Sequence, residues 1–70
     1  MRPDALLRVL RRQPFRPFRF YVLENTVFEV RHPEQILVEG SVVEYSRLSA
    51  AAPDDLILIA LVYITWIEPL

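Results

Sequence analysis

Twelve consecutive residues, 56–67 (LILIALVYITWI), carry no charge, and no other stretch constrains this chain as strongly. The run is too short to cross a bilayer as a helix, which takes about 20 apolar residues. Its leucines and alanine permit a buried helix. Its β-branched residues Ile57, Ile59, Val62, Ile64 and Thr65, with Tyr63 and Trp66, favour a strand. A strand that is apolar on both faces needs both faces covered. In 70 residues, one short helix and the sheet itself can cover one of them. Cover for the other is expected from a second chain.

Composition points the same way. A domain this small buries a modest share of its surface and is usually helped by disulfides, a metal or association. The chain has no cysteine, which excludes disulfides and thiolate ligation of zinc or iron–sulfur clusters. Its single histidine leaves no His-rich metal cluster, and no cofactor is implied. A hydrophobic content of 53% is high where surface per residue is so large. The expected remedy is a homo-oligomer (a dimer, ring or larger assembly) joined through the apolar C-terminal strand region, with Leu58, Leu61, Tyr63 and Trp66 in the contact.

The rest of the chain punctuates itself with prolines and turns. Residues 2–12 read as a short helix. Pro3 suits a first helical turn and Asp4 favours its positive end. Leu6, Leu7 and Leu10, with Val9, form an apolar stripe, and Arg8, Arg11 and Arg12 lie opposite or near the C-terminal end. Pro14 stops the helix. Strand one follows, with Phe18, Phe20 and Val22 facing in and Arg19, Tyr21 and Leu23 facing out. Glu24-Asn25 reads as a two-residue turn. Strand two runs over 26–31, with Phe28 and Val30 inward, and His32-Pro33 ends or bends it. Strands over 35–39 and 42–47 meet at Gly40-Ser41. Residues 49–55 (SAAAPDD) read as a loop before the fifth strand, 56–62. Ile64 and Ile67 then break the period of two, which implies a bend or one tight helical turn before a short last strand ending at Pro69. The fold expected is one mainly β domain: an N-terminal helix (1–13), then a strongly bent five-stranded antiparallel small barrel (15–70).

Charge is distributed unevenly. Residues 1–20 hold six arginines against Asp4, a balance of +5, and residues 21–70 hold two arginines against eight acids, a balance of −6. Such asymmetry suits a basic arm for an anionic partner, attraction between neighbouring chains, or a solvated helix face. Arg11, Arg12, Arg16 and Arg19 are the candidates for an anion or RNA contact. Interleaved arginine and phenylalanine in RRQPFRPFRF resembles the phosphate-plus-stacking chemistry of nucleic-acid binders. Phe15, Phe18 and Phe20 are nonetheless expected in the core, and a pI near 5.7 disfavours a dedicated nucleic-acid binder. An enzyme is not expected. No motif places a nucleophile near His32, and Ser41, Ser46 and Ser49 lie in or beside turns. Asp54-Asp55 is a weak cation signal; its expected role is to end the loop and discourage edge-to-edge pairing. The start of the chain lacks a long apolar core and a small-residue cleavage site, so a soluble cytoplasmic protein is expected.

QPFRPFRFYVLENTVFEVRHPE (13–34) resembles a group of small uncharacterised bacterial proteins frequent in planctomycetes. These open with a Leu/Arg-rich helix, continue with a QPFRPF-type segment and an Asp-Gly hairpin, then carry a V-x-HPE segment and an ITRIEP-like ending. Gln13-Pro14-Phe15-Arg16-Pro17-Phe18, Val30-Arg31-His32-Pro33-Glu34 and Ile64-Thr65-Trp66-Ile67-Glu68-Pro69 carry the likeness. It covers nearly the whole chain and implies no activity. Glu24-Asn25 replaces the usual Asp-Gly, and Trp66 stands where a polar or basic residue is usual. More loosely, the element order is similar to Sm-like and SH3-like small barrels, but the later Gly-Asp or Gly-Asn of the Sm pattern is absent, so no nucleotide-binding residues carry over.

Overall fold

Proline at its start and arginine near its end bound the single α-helix, α1 (Pro3–Leu10), with Asp4 in the first turn and Arg8 in the last. The computed structural model describes residues 1–47 and 56–70. The loop read over 49–55 lies outside the described residues. After α1 come β1 (Phe18–Val22), β2 (Thr26–Val30), a 3-10 turn η1 (Pro33–Gln35), β3 (Ile36–Glu39), β4 (Val42–Ser46), β5 (Leu56–Ala60), a second 3-10 turn η2 (Leu61–Tyr63) and β6 (Ile64–Pro69). No helix among the described residues is long and apolar enough to cross a membrane.

The strands form two antiparallel three-stranded sheets, ordered β2-β1-β6 and β3-β4-β5, rather than one closed five-stranded barrel. The bend expected after the apolar strand falls at η2, which separates β5 from β6 and so places them in different sheets. Inward rows follow the period of two. Phe20 faces Phe28 on one side and Ile67 on the other. Val43 faces Val38 and Ile59, and Tyr45 faces Ile36 and Ile57. Leu6 of the helix joins Phe18, Phe20, Val30, Val43, Tyr45, Leu61 and Ile64 in one core. Phe20, Phe28 and Tyr45 pack as a trio, with ring centroids 5.0–5.7 Å apart. Buried Tyr45 also donates its hydroxyl to the Glu29 carbonyl at 2.6 Å, tying β4 to β2 across the two sheets.

Both turns differ from a simple hairpin pattern in an instructive way. The first hairpin closes at Val22↔Thr26, so the turn holds three residues, Leu23, Glu24 and Asn25, instead of two. Leu23 takes a positive φ of 56°. Its N–H donates to Tyr63 O at 2.9 Å, and its carbonyl accepts from Thr65 Oγ1 at 3.1 Å. The second hairpin closes at Glu39↔Val42 with Gly40 at φ 57°. Ser41 O accepts from Leu61 N at 2.9 Å. The Met1 ammonium donates to Leu61 O at 2.8 Å. The short turn η2 thus receives the N-terminus and both hairpin turns, and that fixes where the last strand leaves one sheet and enters the other.

Candidate interaction surface

Of the four residues expected in a chain contact, three are open. Leu58 is 65% exposed, Tyr63 52% and Trp66 60%. Leu61 is a correction: it is 2% exposed, because it continues the inward row of Ile57 and Ile59 past the extended Ala60. Val62, its neighbour, takes the outward position at 76% exposed, in step with Leu56 and Leu58. On the outer face of the β3-β4-β5 sheet, Leu37 and Leu58 flank Glu44 in one cross-strand row.

The strand edges matter as much as the faces. β2 and β6 bound one sheet, β3 and β5 the other. Native edges usually carry a charge, a proline or a bulge that discourages further pairing. β2 has Glu29, β3 has Glu39, and β6 has Glu68 and Pro69. β5 (LILIA) has neither charge nor proline, and its first and third residues, Leu56 and Leu58, are exposed.

A polar cluster stands on the outer face of the other sheet. Tyr21 pairs with Trp66, and Arg19 with Glu68, across β1 and β6. The Tyr21 hydroxyl donates to Glu68 Oε1 at 2.7 Å and the Trp66 indole N–H to Oε2 at 3.3 Å. Arg19 Nε is 3.3 Å from Oε1, yet that buried N–H is not aligned for a hydrogen bond, so the contact is an ion pair only. The Tyr21 hydrogen bond, then that of Trp66, holds the Glu68 carboxyl below its usual range, with the Arg19 charge adding to it. The same bond, donated to a carboxylate, raises the Tyr21 phenol.

The four candidate arginines divide. Arg19 is held by Glu68 on the sheet, whereas Arg11, Arg12 and Arg16 are exposed at the end of α1 and in the following link. Arg12 and Arg16 rim a groove of about 230 Å³ between the helix and the C-terminal end of β6, floored by Val9, Phe18 and Ile67 and closed by Glu68 and Pro69. A second recess is lined by Arg8, Val9 and Arg12 of the helix and its end. The phenylalanines of the arginine-rich segment are not free to stack on bases: Phe18 and Phe20 are buried, and Phe15 packs edge-on against Phe18 with centroids 6.1 Å apart.

Sequence reasoning missed Gln35, which it placed at the start of a strand. Gln35 is 5% exposed. Its Oε1 accepts from Arg31 N at 2.7 Å and His32 N at 3.0 Å, and its Nε2 donates to Ser46 O at 3.2 Å and Arg47 O at 2.7 Å. The residue clamps η1 to β4. The sequence signal was there: His-Pro-Glu-Gln has proline at the first helical position and glutamine at the third, where it can reach back to a free N–H. His32 itself is exposed at the end of β2, beside that clamp. Among the described residues, no three of His, Cys, Asp and Glu gather to hold a metal. Compared with known proteins, the chain matches no family model, no curated protein and no solved structure.

Proposed function

We propose that the chain is a self-associating structural module that forms a homo-oligomer through its apolar C-terminal strand region, with the β5 edge in the contact. The observation that carries this reading is β5: an edge strand without charge or proline, presenting exposed Leu56 and Leu58. The exposed set Val62, Tyr63 and Trp66 follows directly along η2 and β6. Backbone pairing supplies affinity in such strand addition and alternate side chains supply specificity. Pairing of like β5 edges gives a dimer, and pairing of β5 with a different surface gives a head-to-tail contact that closes into a ring when the rotation allows. Each bend supports the small-barrel reading as well. β2 passes into β3 through η1, and β5 into β6 through η2, so every bend joins an edge of one sheet to an edge of the other. Bends of that kind suit a strongly bent Sm-like or SH3-like barrel, and kinship with the planctomycete-type proteins rests on the QPFRPF, HPE and terminal motifs. The role is non-enzymatic and cytoplasmic on this reading.

Leu58→Lys tests the contact, because a lysine on β5 protects the edge without entering the core. Native mass spectrometry is expected to find the unaltered chain assembled and Leu58→Lys folded but largely monomeric. Equal assembly of the two overturns the β5 contact.

A second reading is an RNA-binding ring, supported by the exposed Arg11, Arg12 and Arg16, none of which makes an ion pair among the described residues. Arg19, spent on Glu68, is not available to it. Phosphate contacts make affinity fall steeply with salt. Fluorescence anisotropy with a single-stranded RNA shows that slope if the reading holds, and absence of binding at low salt removes it.

A further inference from the structure

Resting on the self-association proposed above, we infer that the partner of β5 is the β5 of a second copy, the two strands running antiparallel about a two-fold axis at Leu58. The phase of the backbone bonds carries this. Leu61 N donates to Ser41 O at 2.9 Å, one step beyond the Val42↔Ala60 pair. Bonded and unbonded pairs alternate along an antiparallel ladder. Ile59 and Ile57 therefore turn their N–H and C=O groups toward β4, and Leu56, Leu58 and Ala60 turn theirs toward the open edge. Among the described residues, those edge groups meet no further strand. A two-fold axis at Leu58 lets each Leu58 exchange both groups with its counterpart, and each Leu56 with Ala60 of the second copy. Only this register overlaps all five residues of β5.

The side chains fit the same axis. Leu56, Leu58 and Ala60 share the outer face, and both leucines are exposed. The pairing sets Leu58 against Leu58 at the axis and large Leu56 against small Ala60 on either side. Glu44 and Leu37 continue the Leu58 row outward in each copy, so an apolar centre is flanked by a charge. The two Glu44 residues stand three strand spacings apart, about 14 Å, beyond the screening length of about 8 Å at physiological salt. A strand that pairs with itself must also tolerate its own charges. β5 has none, whereas β2 carries Glu29, β3 carries Glu39, and β6 carries Glu68 and Pro69. That selects β5 over the other edges and an equally uncharged strand as its partner. The joined sheet ends on β3 at both sides, where Glu39 opposes further growth, so the contact is complete at two copies.

The test exploits a chain without cysteine. Leu58→Cys and Val62→Cys each add one thiol at an exposed position. Counterparts at the axis lie about 5.5 Å apart between Cα atoms, within the about 4.4–6.8 Å that a disulfide spans. Counterparts at Val62 lie roughly 20 Å or more apart, at about 3.3 Å per residue. Under mild oxidation by dissolved oxygen, Leu58→Cys is expected to form the covalent dimer at least about tenfold faster than Val62→Cys. In the unmodified chain, the Leu56, Leu58 and Ala60 amides are expected to exchange with solvent at least about tenfold more slowly once it associates, read by NMR against concentration. Its mass is expected at twice the 8.2 kDa protomer. An unmodified chain that stays monomeric overturns this inference together with the self-association it rests on. Assembly into an odd number of copies, or assembly that leaves those three amides exchanging as before, overturns the self-pairing alone. So does cross-linking of Leu58→Cys no faster than Val62→Cys when both variants assemble.

Discussion

Gln35 bonds four backbone groups with one side chain, and its loss removes the bonds from the Arg31 and His32 N–H groups and those to the Ser46 and Arg47 carbonyls. Each buried group left unpaired costs about 1–3 kcal/mol, and water reaches some of these, so Gln35→Leu is expected to cost about 2–4 kcal/mol in denaturant unfolding. Gln35→Glu separates the two halves of the clamp: it keeps acceptors for Arg31 and His32 but turns an anion toward the Ser46 and Arg47 carbonyls. Leu23 is the converse case, a residue whose conformation works against its chemistry. Its positive φ costs a non-glycine residue about 1–2 kcal/mol. The hydrogen bonds to Tyr63 and from Thr65 hold it there. Leu23→Asn, which tolerates that region, is expected to gain about 0.5–1 kcal/mol in thermal unfolding. Glu68 gives a pH signature. Its folded-state carboxyl lies below the unfolded value, so its contribution is present above the ordinary glutamate range and disappears as pH falls through the lowered value. Tyr21 has the opposite sign: its contribution is present below the ordinary phenol value and is lost as pH rises through the raised one. Tyr21→Phe removes the largest cause of the Glu68 shift. An NMR titration is expected to show Glu68 moving up toward its usual range, with a smaller loss of stability on acidification; an unmoved Glu68 contradicts the hydrogen bond.

At the scale of elements, what was legible followed periodicity and what was not followed from contacts remote in sequence. The helix, the alternation of Phe18, Phe20, Phe28 and Val30, and the break after the apolar strand were all readable, because each is a local pattern. The length of the first turn was not. Glu24-Asn25 looked like a complete two-residue turn, but the backbone of Leu23 is drawn to Tyr63, forty residues on, and the turn opens to three. Leu61 is a different case: the period of two along β5 already sets it inward with Ile57 and Ile59, and Val62 outward with Leu56 and Leu58, whereas Tyr63, which that period would bury, is exposed where η2 changes it. Gly40 was legible as a turn and its requirement is purely conformational: a Cβ there meets nothing within 4 Å, but φ is 57°. Gly40→Ala is therefore expected to cost about 1 kcal/mol without any steric rearrangement, measured by denaturant unfolding against an unchanged circular dichroism spectrum.

The whole molecule resolves the tension between an apolar sequence and a small core only in part. One core takes Leu6, the inward phenylalanines, Val43, Tyr45, Ile59, Leu61 and Ile64. Leu56, Leu58, Val62, Tyr63 and Trp66 remain outside it, all within the last fifteen residues. The excess noticed in the sequence is thus real on the surface and concentrated along β5, η2 and β6. Which faces were open could not be read from the run itself, because that depends on α1 and the opposing sheet covering one side of β5 and leaving the other. Charge is arranged around the same region, with exposed arginines at the C-terminal end of β6 and an acid pair just before β5 in the sequence. The measurement closest to the centre of all this is the mass of the unmodified chain in solution by light scattering coupled to size exclusion, at micromolar concentration and low salt. Self-association through the apolar β5 to β6 region predicts a discrete multiple of the 8.2 kDa protomer. A clean 8.2 kDa monomer under those conditions contradicts it.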